Sequence, residues 1–136
     1  QASIRTRIGA VYNRQLNNPE KALAAYSEAQ KQDTPYRGSR ATVYKVNILV
    51  EQRRTAEALQ EMQRWLSIID IDELRGGWYP ALLREAHARA LTAAGRKAEA
   101  VAKYREALGA EDIHQRLEKR IKKELAKLQE SKRSPK

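Results

Sequence analysis

The stretch that decides the fold is Gly95–Leu108, which reads GRKAEAVAKYREAL. Ala100, Tyr104 and Ala107 follow one another at steps of four and three, which place them on one face of an α-helix. A small, large, small pattern on one face lets a helix lie close against its neighbour while a single ring fills the remaining gap. The first residue acts as a turn glycine, and Gly109 ends the segment. The stretch therefore predicts a helix built for close packing.

The same stripe occurs twice upstream, at Ala22, Tyr26 and Ala29 and again at Ala58, Met62 and Trp65. The second occurrence is less regular, because Trp65 is too large for a position that suits alanine. The first alanines of successive stripes are separated by 36 residues (Ala22 to Ala58) and by 42 residues (Ala58 to Ala100). We interpret the chain as an internal repeat whose surplus residues lie in the first turn of the chain and in segment 70–79.

The composition predicts an all-α protein. Alanine is abundant, glycine and proline are scarce at six and four residues, and phenylalanine is absent. Valine, isoleucine and threonine never alternate over the length of a strand. A chain of 136 residues forms one domain or a short run of repeats. The absence of cysteine excludes disulfides, thiolate catalysis and cysteine-bound zinc.

The chain is strongly basic, with 27 Lys and Arg against 17 Asp and Glu and a net charge of +10. Such a balance favours nucleic acid, anionic lipid or an acidic protein surface, or it reflects a solvated, arginine-rich helical surface. No apolar run approaches the roughly 18–20 residues that span a bilayer. The chain begins with Gln1 rather than Met, which indicates a processed or excised piece. The sequence therefore leaves the compartment open, cytoplasmic or periplasmic in a bacterium.

Turn and cap signals divide the chain into seven helices. We predict them over residues 2–16, 19–31, 35–51, 55–69, 80–94, 95–108 and 113–130. Asn18 and Thr55 are expected to cap their helices, and Asp112 with Gln115 forms a capping box. In the last helix Ile113, Leu117, Ile121 and Leu125 follow at four-residue steps. The tail 131–136 is expected to fray.

Six helices in antiparallel pairs, with the stripe in the second helix of each pair, resemble the tetratricopeptide repeat. The match is good around Gly9 and Tyr12 and around Ala88 and Leu91, whereas Arg53 replaces the expected turn glycine. The resemblance implies a right-handed superhelical stack of three units, about 2–34, 35–70 and 79–110, with a capping helix over 112–130. The competing fold is a closed, irregular helical bundle.

Few residues offer reactive chemistry. His87 stands where the family has a packing leucine and is expected to be half-buried, and His114 is expected to be solvated. Neither has a partner at a catalytic spacing. The acidic cluster of Asp70, Asp72 and Glu73 lacks the glycine and the closing glutamate of a calcium loop, so it is interpreted as capping and loop solubility. We expect no enzyme activity, no metal and no cofactor.

The resemblance implies a concave groove lined by the first helices of the pairs. Carried over by position, the groove residues are Thr6, Ala10, Asn13, Arg40, Val43, Tyr44, Asn47, Glu51, Leu82, Glu85, Arg89 and Thr92. Of these, the candidate ligand-binding residues are Asn13, Arg40, Tyr44, Asn47, Glu51, Glu85 and Arg89. Asn47 and Arg89 suit a peptide backbone or a carboxylate. Thr6, Ala10 and Ala86 replace three residues of the clamp that the chaperone-tail-binding subfamily uses, so that activity is not expected.

The function predicted is a non-enzymatic scaffold that binds a peptide or a partner helix in this groove. The alternatives are a basic repeat module for nucleic acid and an accessory domain of a larger enzyme or sensor. An apolar face at Ile4, Ile8 and Val11 suggests self-association through the N-terminal helix. The last helix is rich in Lys and Arg on one side and is interpreted first as a cap, with lipid or nucleic acid as other partners.

Overall fold

The structure is a computed structural model that describes residues 7–10, 12, 17–32, 35–74, 79–110 and 113–133. Residues 7–10 and 12 are helical, and the rest of the predicted first helix lies outside the described residues. The helices that follow are α1 (Pro19–Gln32), α2 (Pro35–Glu51), α3 (Thr55–Ile68), α4 (Tyr79–Ala93), α5 (Lys97–Leu108) and α6 (Gln115–Arg133). The described residues contain no strand, so the all-α prediction is confirmed. The handedness of the stack stays a prediction.

The helix starts differ partly from prediction. Asn18 caps α1 as expected, because its side-chain Oδ1 accepts the backbone N–H of Lys21 at 3.2 Å. The predicted Thr55 cap is wrong: Arg54 holds the cap position without a side-chain hydrogen bond, and Thr55 is the first helical residue. Arg54 instead pairs its guanidinium with Glu57, one turn on.

The end of α5 and both ends of α6 also differ from the prediction. Gly109 ends α5 with φ −76°, a right-handed conformation that any residue adopts, so no left-handed cap forms there. Asp112 lies outside the described residues, and the ring Nδ1 of His114 accepts the backbone N–H of Arg116 at the start of α6. The helix continues to Arg133, three residues beyond its predicted end.

The backbone of the turns repeats with the stripes. Asn17 (φ 48°), Arg53 (φ 61°) and Gly95 (φ 77°) are left-handed, and each stands five residues before the first alanine of a stripe. The carbonyl of the following residue then accepts the N–H of that alanine at 3.1, 3.0 and 3.0 Å. Arg53 therefore adopts the conformation of the glycine that it replaces. Three equivalent turns support a true repeat over an irregular bundle.

All nine stripe residues are buried, with at most 3% of each exposed. The first two stripes belong to one cluster, which extends to Leu83, Ala86 and Ala90 of α4. The third stripe belongs to a second cluster with Ala88 and Leu91 of α4 and the apolar side of α6. Because α4 contributes to both clusters, the units are joined through a shared helix. On α6, Leu117, Ile121 and Leu128 are buried, whereas Leu125 is only partly buried.

Glycines make room for the large stripe residues. Trp65 is buried because Gly38 on α2 leaves space for the indole, where an added Cβ would meet the ring atom Cζ2 at 2.8 Å. The indole Nε1 donates to the buried Ser39 hydroxyl at 2.9 Å. Likewise, a Cβ on Gly9 would meet the ring of Tyr26 at 2.6 Å. The oversized tryptophan of the second unit is thus matched by a glycine on its partner helix.

Arg53→Gly is expected to stabilise the protein by about 1 kcal/mol, because a left-handed backbone strains an L residue with a Cβ. Gly95→Ala, at the equivalent turn, is expected to destabilise it by a similar amount, although nothing lies within 4 Å of the added methyl group. Urea unfolding of the two variants measures both effects. If both substitutions changed the free energy of unfolding by the same small amount and with the same sign, the two turns would not be equivalent.

Gly38→Ala is expected to destabilise the protein by about 1–3 kcal/mol, because the methyl group overpacks the indole of Trp65. In a helix interior with no ring nearby, replacing glycine by alanine stabilises the helix by about 1 kcal/mol. A double-mutant cycle with Trp65→Leu, followed by urea unfolding, separates the two effects. In the Trp65→Leu background Gly38→Ala should be neutral or stabilising, and an equal cost in both backgrounds would refute the packing argument.

Candidate functional site

The candidate site is the first-helix surface, formed by polar side chains of α2, α4 and α6. It contains Arg40, Tyr44, Asn47, Glu85, Arg89 and Arg120. The helical periods set its composition, since Arg40, Tyr44 and Asn47 follow at steps of four and three on α2, and Glu85 and Arg89 at four on α4. The side chains fall into two groups.

The first group is a hydrogen-bonded chain across three helices, centred on Glu85. Only 2% of Glu85 is exposed, and its carboxylate receives Arg120 in a bidentate pair, Nε to Oε2 at 2.6 Å and Nη2 to Oε1 at 2.7 Å. Arg89 donates Nη2 to the same carboxylate at 3.3 Å and Nη1 to Oδ1 of Asn47 at 3.3 Å. The hydrogen bond to Glu85 raises the pKa of Arg120. Two arginines thus share one carboxylate, which leaves one net positive charge.

The second group joins Arg40 to an aromatic ring. The Nε of Arg40 donates to the hydroxyl of Tyr44 at 3.2 Å, and the guanidinium carbon of Arg40 lies 5.8 Å from the centre of the Tyr44 ring. The hydrogen bond to Tyr44 is the largest cause of the raised pKa of Arg40, and Tyr79 contributes as well. Tyr44 in turn packs against the buried Tyr26, with ring centres 5.4 Å apart. The core therefore holds Arg40 in place.

Several sequence-predicted groove residues do not join either group. Asn13 lies outside the described residues, as does Thr6. Val43 is buried in the core, so its placement in the groove is wrong. Glu51 is exposed at the end of α2. The hydroxyl of Thr92 donates to the carbonyl of Ala88 at 2.8 Å.

Sequence reasoning missed Arg120, which it assigned to the solvated side of a cap. The signal was present, because α6 follows α5 as a further first helix would, and its inner positions face α4. Carrying the groove positions onto α6 predicts an arginine beside Glu85. Arg120 brings a second positive charge to the Glu85 carboxylate and links α6 to the first-helix surface.

A second polar cluster lies between α1, α2 and α3 and was not predicted from the sequence. Glu61, 9% exposed, accepts from Lys45 at 2.6 Å, from the amide of Gln30 at 3.1 Å and from Arg64. The Gln30 amide also donates to the hydroxyl of Thr42 at 2.7 Å. Burial acts to raise the pKa of Glu61, but the donors together outweigh it and hold the pKa below its ordinary value. The cluster pins the first unit to the second.

The histidines and the acidic cluster behave as ordinary structural residues. His87 is half-buried beside a cavity of about 230 Å³ lined also by Leu83 and Lys103, and burial, followed by Lys103 and Arg96, lowers its pKa. Asp70 caps the short turn Ile71–Glu73 by accepting from the N–H of Asp72 at 3.0 Å. Within the described parts of the chain no group of three His, Asp or Glu residues could hold a metal ion.

Among the helices described, none has the length and apolar character needed to cross a membrane. Ile8 is 42% exposed, whereas Ile4 and Val11 lie outside the described residues. Self-association through this face stays a prediction.

Glu61→Gln is expected to cost about 2–3 kcal/mol of unfolding free energy at pH 7, because Lys45 loses its carboxylate in a mostly buried place. The folded pKa of Glu61 is lowered, so its contribution is present above the unfolded pKa and is lost as the pH falls below about 4.5 towards the folded value. Urea unfolding between pH 3 and pH 7 should therefore show the cost shrinking in acid.

The control is Glu57→Gln on the same helix, whose solvent-exposed pair with Arg54 at 2.7 Å contributes little to stability. A cost for Glu61→Gln as small as that of the control, at every pH, would contradict the structural role of the cluster.

A comparison with known families gives one match. A family model described as tetratricopeptide repeat matches residues 10–73, which include all of α1, α2 and α3 and the turn after them. No curated protein and no solved structure matches the chain. Repeats of this family generally mediate contacts between proteins and are typically non-catalytic. Residues 10–73 therefore match the tetratricopeptide repeat family, and the third turn and the third buried stripe repeat the same pattern in α5.

Proposed function

We propose that the first-helix surface binds a polypeptide partner, and that the protein acts as a non-enzymatic scaffold. The observation that carries the proposal is the chain Asn47–Arg89–Glu85–Arg120, which holds polar side chains of three separate helices in one arrangement. Side chains that are already ordered lose little entropy on binding, so more of the contact energy becomes affinity.

Unused hydrogen-bond donors support a partner with carboxylates or backbone carbonyls. An arginine has five N–H donors, and Arg89 uses two of them in the described structure, on Asn47 and Glu85. Arg120 likewise uses two. Because a single carboxylate serves both arginines, a second carboxylate from a partner meets a positive surface. The planar guanidinium fork suits a carboxylate.

Arg40 supplies a second anchor on α2. It has no carboxylate partner among the described residues, and its hydrogen bond to Tyr44 fixes the direction of its side chain. Arg40 and Arg89 lie on neighbouring first helices, so an extended segment crossing α2 and α4 passes both. We propose that these two arginines, with Asn47, orient the partner, and that Tyr44 adds apolar contact.

Replacing both anchors, as Arg40→Gln with Arg89→Gln, is expected to weaken peptide binding at least tenfold, since charge-assisted hydrogen bonds contribute about 1.5–3 kcal/mol each. The probes are the tightest binders from an array of randomised 12-residue peptides, and fluorescence anisotropy gives Kd. Arg120 keeps Glu85 paired in this variant, so circular dichroism should be unchanged.

The matched control is Arg53→Gln with Arg105→Gln, which removes the same charge at exposed positions elsewhere. Its Kd should stay within twofold of the parent protein. A crosslinking residue at Asn47 should capture the peptide, and one at the exposed Gln60 of α3 should not. Equal losses in the two double variants, or capture at Gln60 alone, would discard the assignment of this surface.

A further inference from the structure

The outward side of α6 carries a row of basic residues, the α6 basic face, formed by Arg116, Lys119, Lys123 and Lys127. Their steps of three, four and four place them along one side of the helix. The first three are exposed, and they span about 10 Å along the axis at a rise of about 1.5 Å per residue.

The α6 basic face groups along one side of a single helix several cations that have no carboxylate partner among the described residues, whereas Lys21, Arg53 and Arg105, which also lack one there, lie on separate elements. Arg54, Arg84, Arg96 and Lys103 each lie within hydrogen-bond distance of a carboxylate. Arg116, Lys119 and Lys123 have no carboxylate within 4.0 Å in the part of the chain that the structure describes. Lys127 lies 3.6 Å from Glu124, with the lysine largely exposed and the glutamate partly exposed, and a pair so open to solvent holds the cation weakly. Three or four positive charges are thus available to a ligand.

The opposite side of α6 is already in use. Leu117, Ile121 and Leu128 pack into the core with α4 and α5. An amphipathic helix that lies in a membrane interface turns its apolar face to the lipid, and that face of α6 is not available. The exposed side has no aromatic residue to insert or to stack on a base. Contact there is therefore ionic.

We propose that the α6 basic face binds the phosphate backbone of nucleic acid without sequence preference. A nucleic acid presents a continuous row of charges, one per nucleotide, so a row of cations finds phosphates in any register. An acidic polypeptide presents carboxylates only where its own sequence places them. The net charge of +10 favours the approach of a polyanion to the whole molecule. None of the four residues is named in the first-helix surface, although Arg120 of that surface lies one turn from Arg116 on the same side of α6 and the two surfaces therefore adjoin.

The test is binding of a fluorescein-labelled 20-base-pair duplex of mixed sequence to the full chain, followed by anisotropy from 50 to 200 mM salt. The basic-face variant is Arg116→Glu with Lys119→Glu and Lys123→Glu. For the parent protein, log K for the duplex should fall steeply with the log of the salt concentration. In the basic-face variant this slope should be smaller by about 3, since each neutralised phosphate contributes about 0.9. Binding at 50 mM salt should weaken at least thirtyfold.

The matched control is Lys21→Glu with Arg53→Glu and Arg105→Glu, three exposed residues on other elements with the same change in charge. It should retain most of the parent slope. Equal losses in both triple variants would show binding by net charge alone and overturn the proposal, as would a parent protein that binds the duplex without salt dependence. Circular dichroism checks the fold of both triple variants.

Two further measurements keep the assignment specific. Glu130→Gln removes a carboxylate near the end of the same helix and should tighten duplex binding. A labelled polyglutamate of equal charge serves as the competing ligand. If the parent protein binds polyglutamate as tightly as the duplex, and the basic-face variant binds neither, the partner is an acidic polypeptide and the nucleic-acid assignment is wrong.

Discussion

The structure depends on one packing interaction, the contact of a small, large, small stripe on each second helix with the helices around it. The alanines let the backbones approach closely, and a tyrosine, methionine or tryptophan fills the space that remains. All three stripes are buried, and the two clusters that they form meet on α4. Since each unit buries only part of its apolar surface alone, stability requires the neighbours.

The middle unit shows how the interaction tolerates variation. Its stripe ends in Trp65 where the others have alanine, and the glycine at position 38 on α2 compensates for the extra volume. Its turn has Arg53 in place of a glycine, and the backbone still takes the left-handed conformation. The pattern of backbone and packing is therefore kept where the residue types are not, at a cost in strain at the turn.

Charge is organised in three ways on the same helices. Glu61 is buried among donors from three helices and joins the first two units. Glu85 is buried under two arginines and leaves excess positive charge on the first-helix surface. On the outward side of α6, Arg116, Lys119 and Lys123 have no carboxylate within 4.0 Å among the described residues. The first arrangement stabilises the fold, and the other two leave donors and charge for ligands, which the two proposals assign to a polypeptide and to nucleic acid.

The sequence by itself determined the helix content, most of the boundaries and the repeat. These follow from local rules, namely periodicity along one helix, proline and asparagine at helix starts, and glycine at turns. The burial of Tyr26, Met62 and Tyr104 follows from the same periods. Local rules failed at Thr55, because a favourable capping residue does not guarantee the cap position when the preceding turn closes on Arg54.

Only the tertiary structure decided which charged residues meet. Glu85 and Arg120 are 35 residues apart, and Gln30 and Glu61 are 31 apart, so no helical period connects them. Val43 was assigned to the surface and is buried, because the neighbouring helices rather than its own helix set its environment. Long-range contacts depend on how whole helices are oriented, which small differences in packing decide. For that reason the sequence named Asn47, Glu85 and Arg89 as candidates, while the contacts among them and the arginine from α6 were found only in the folded chain.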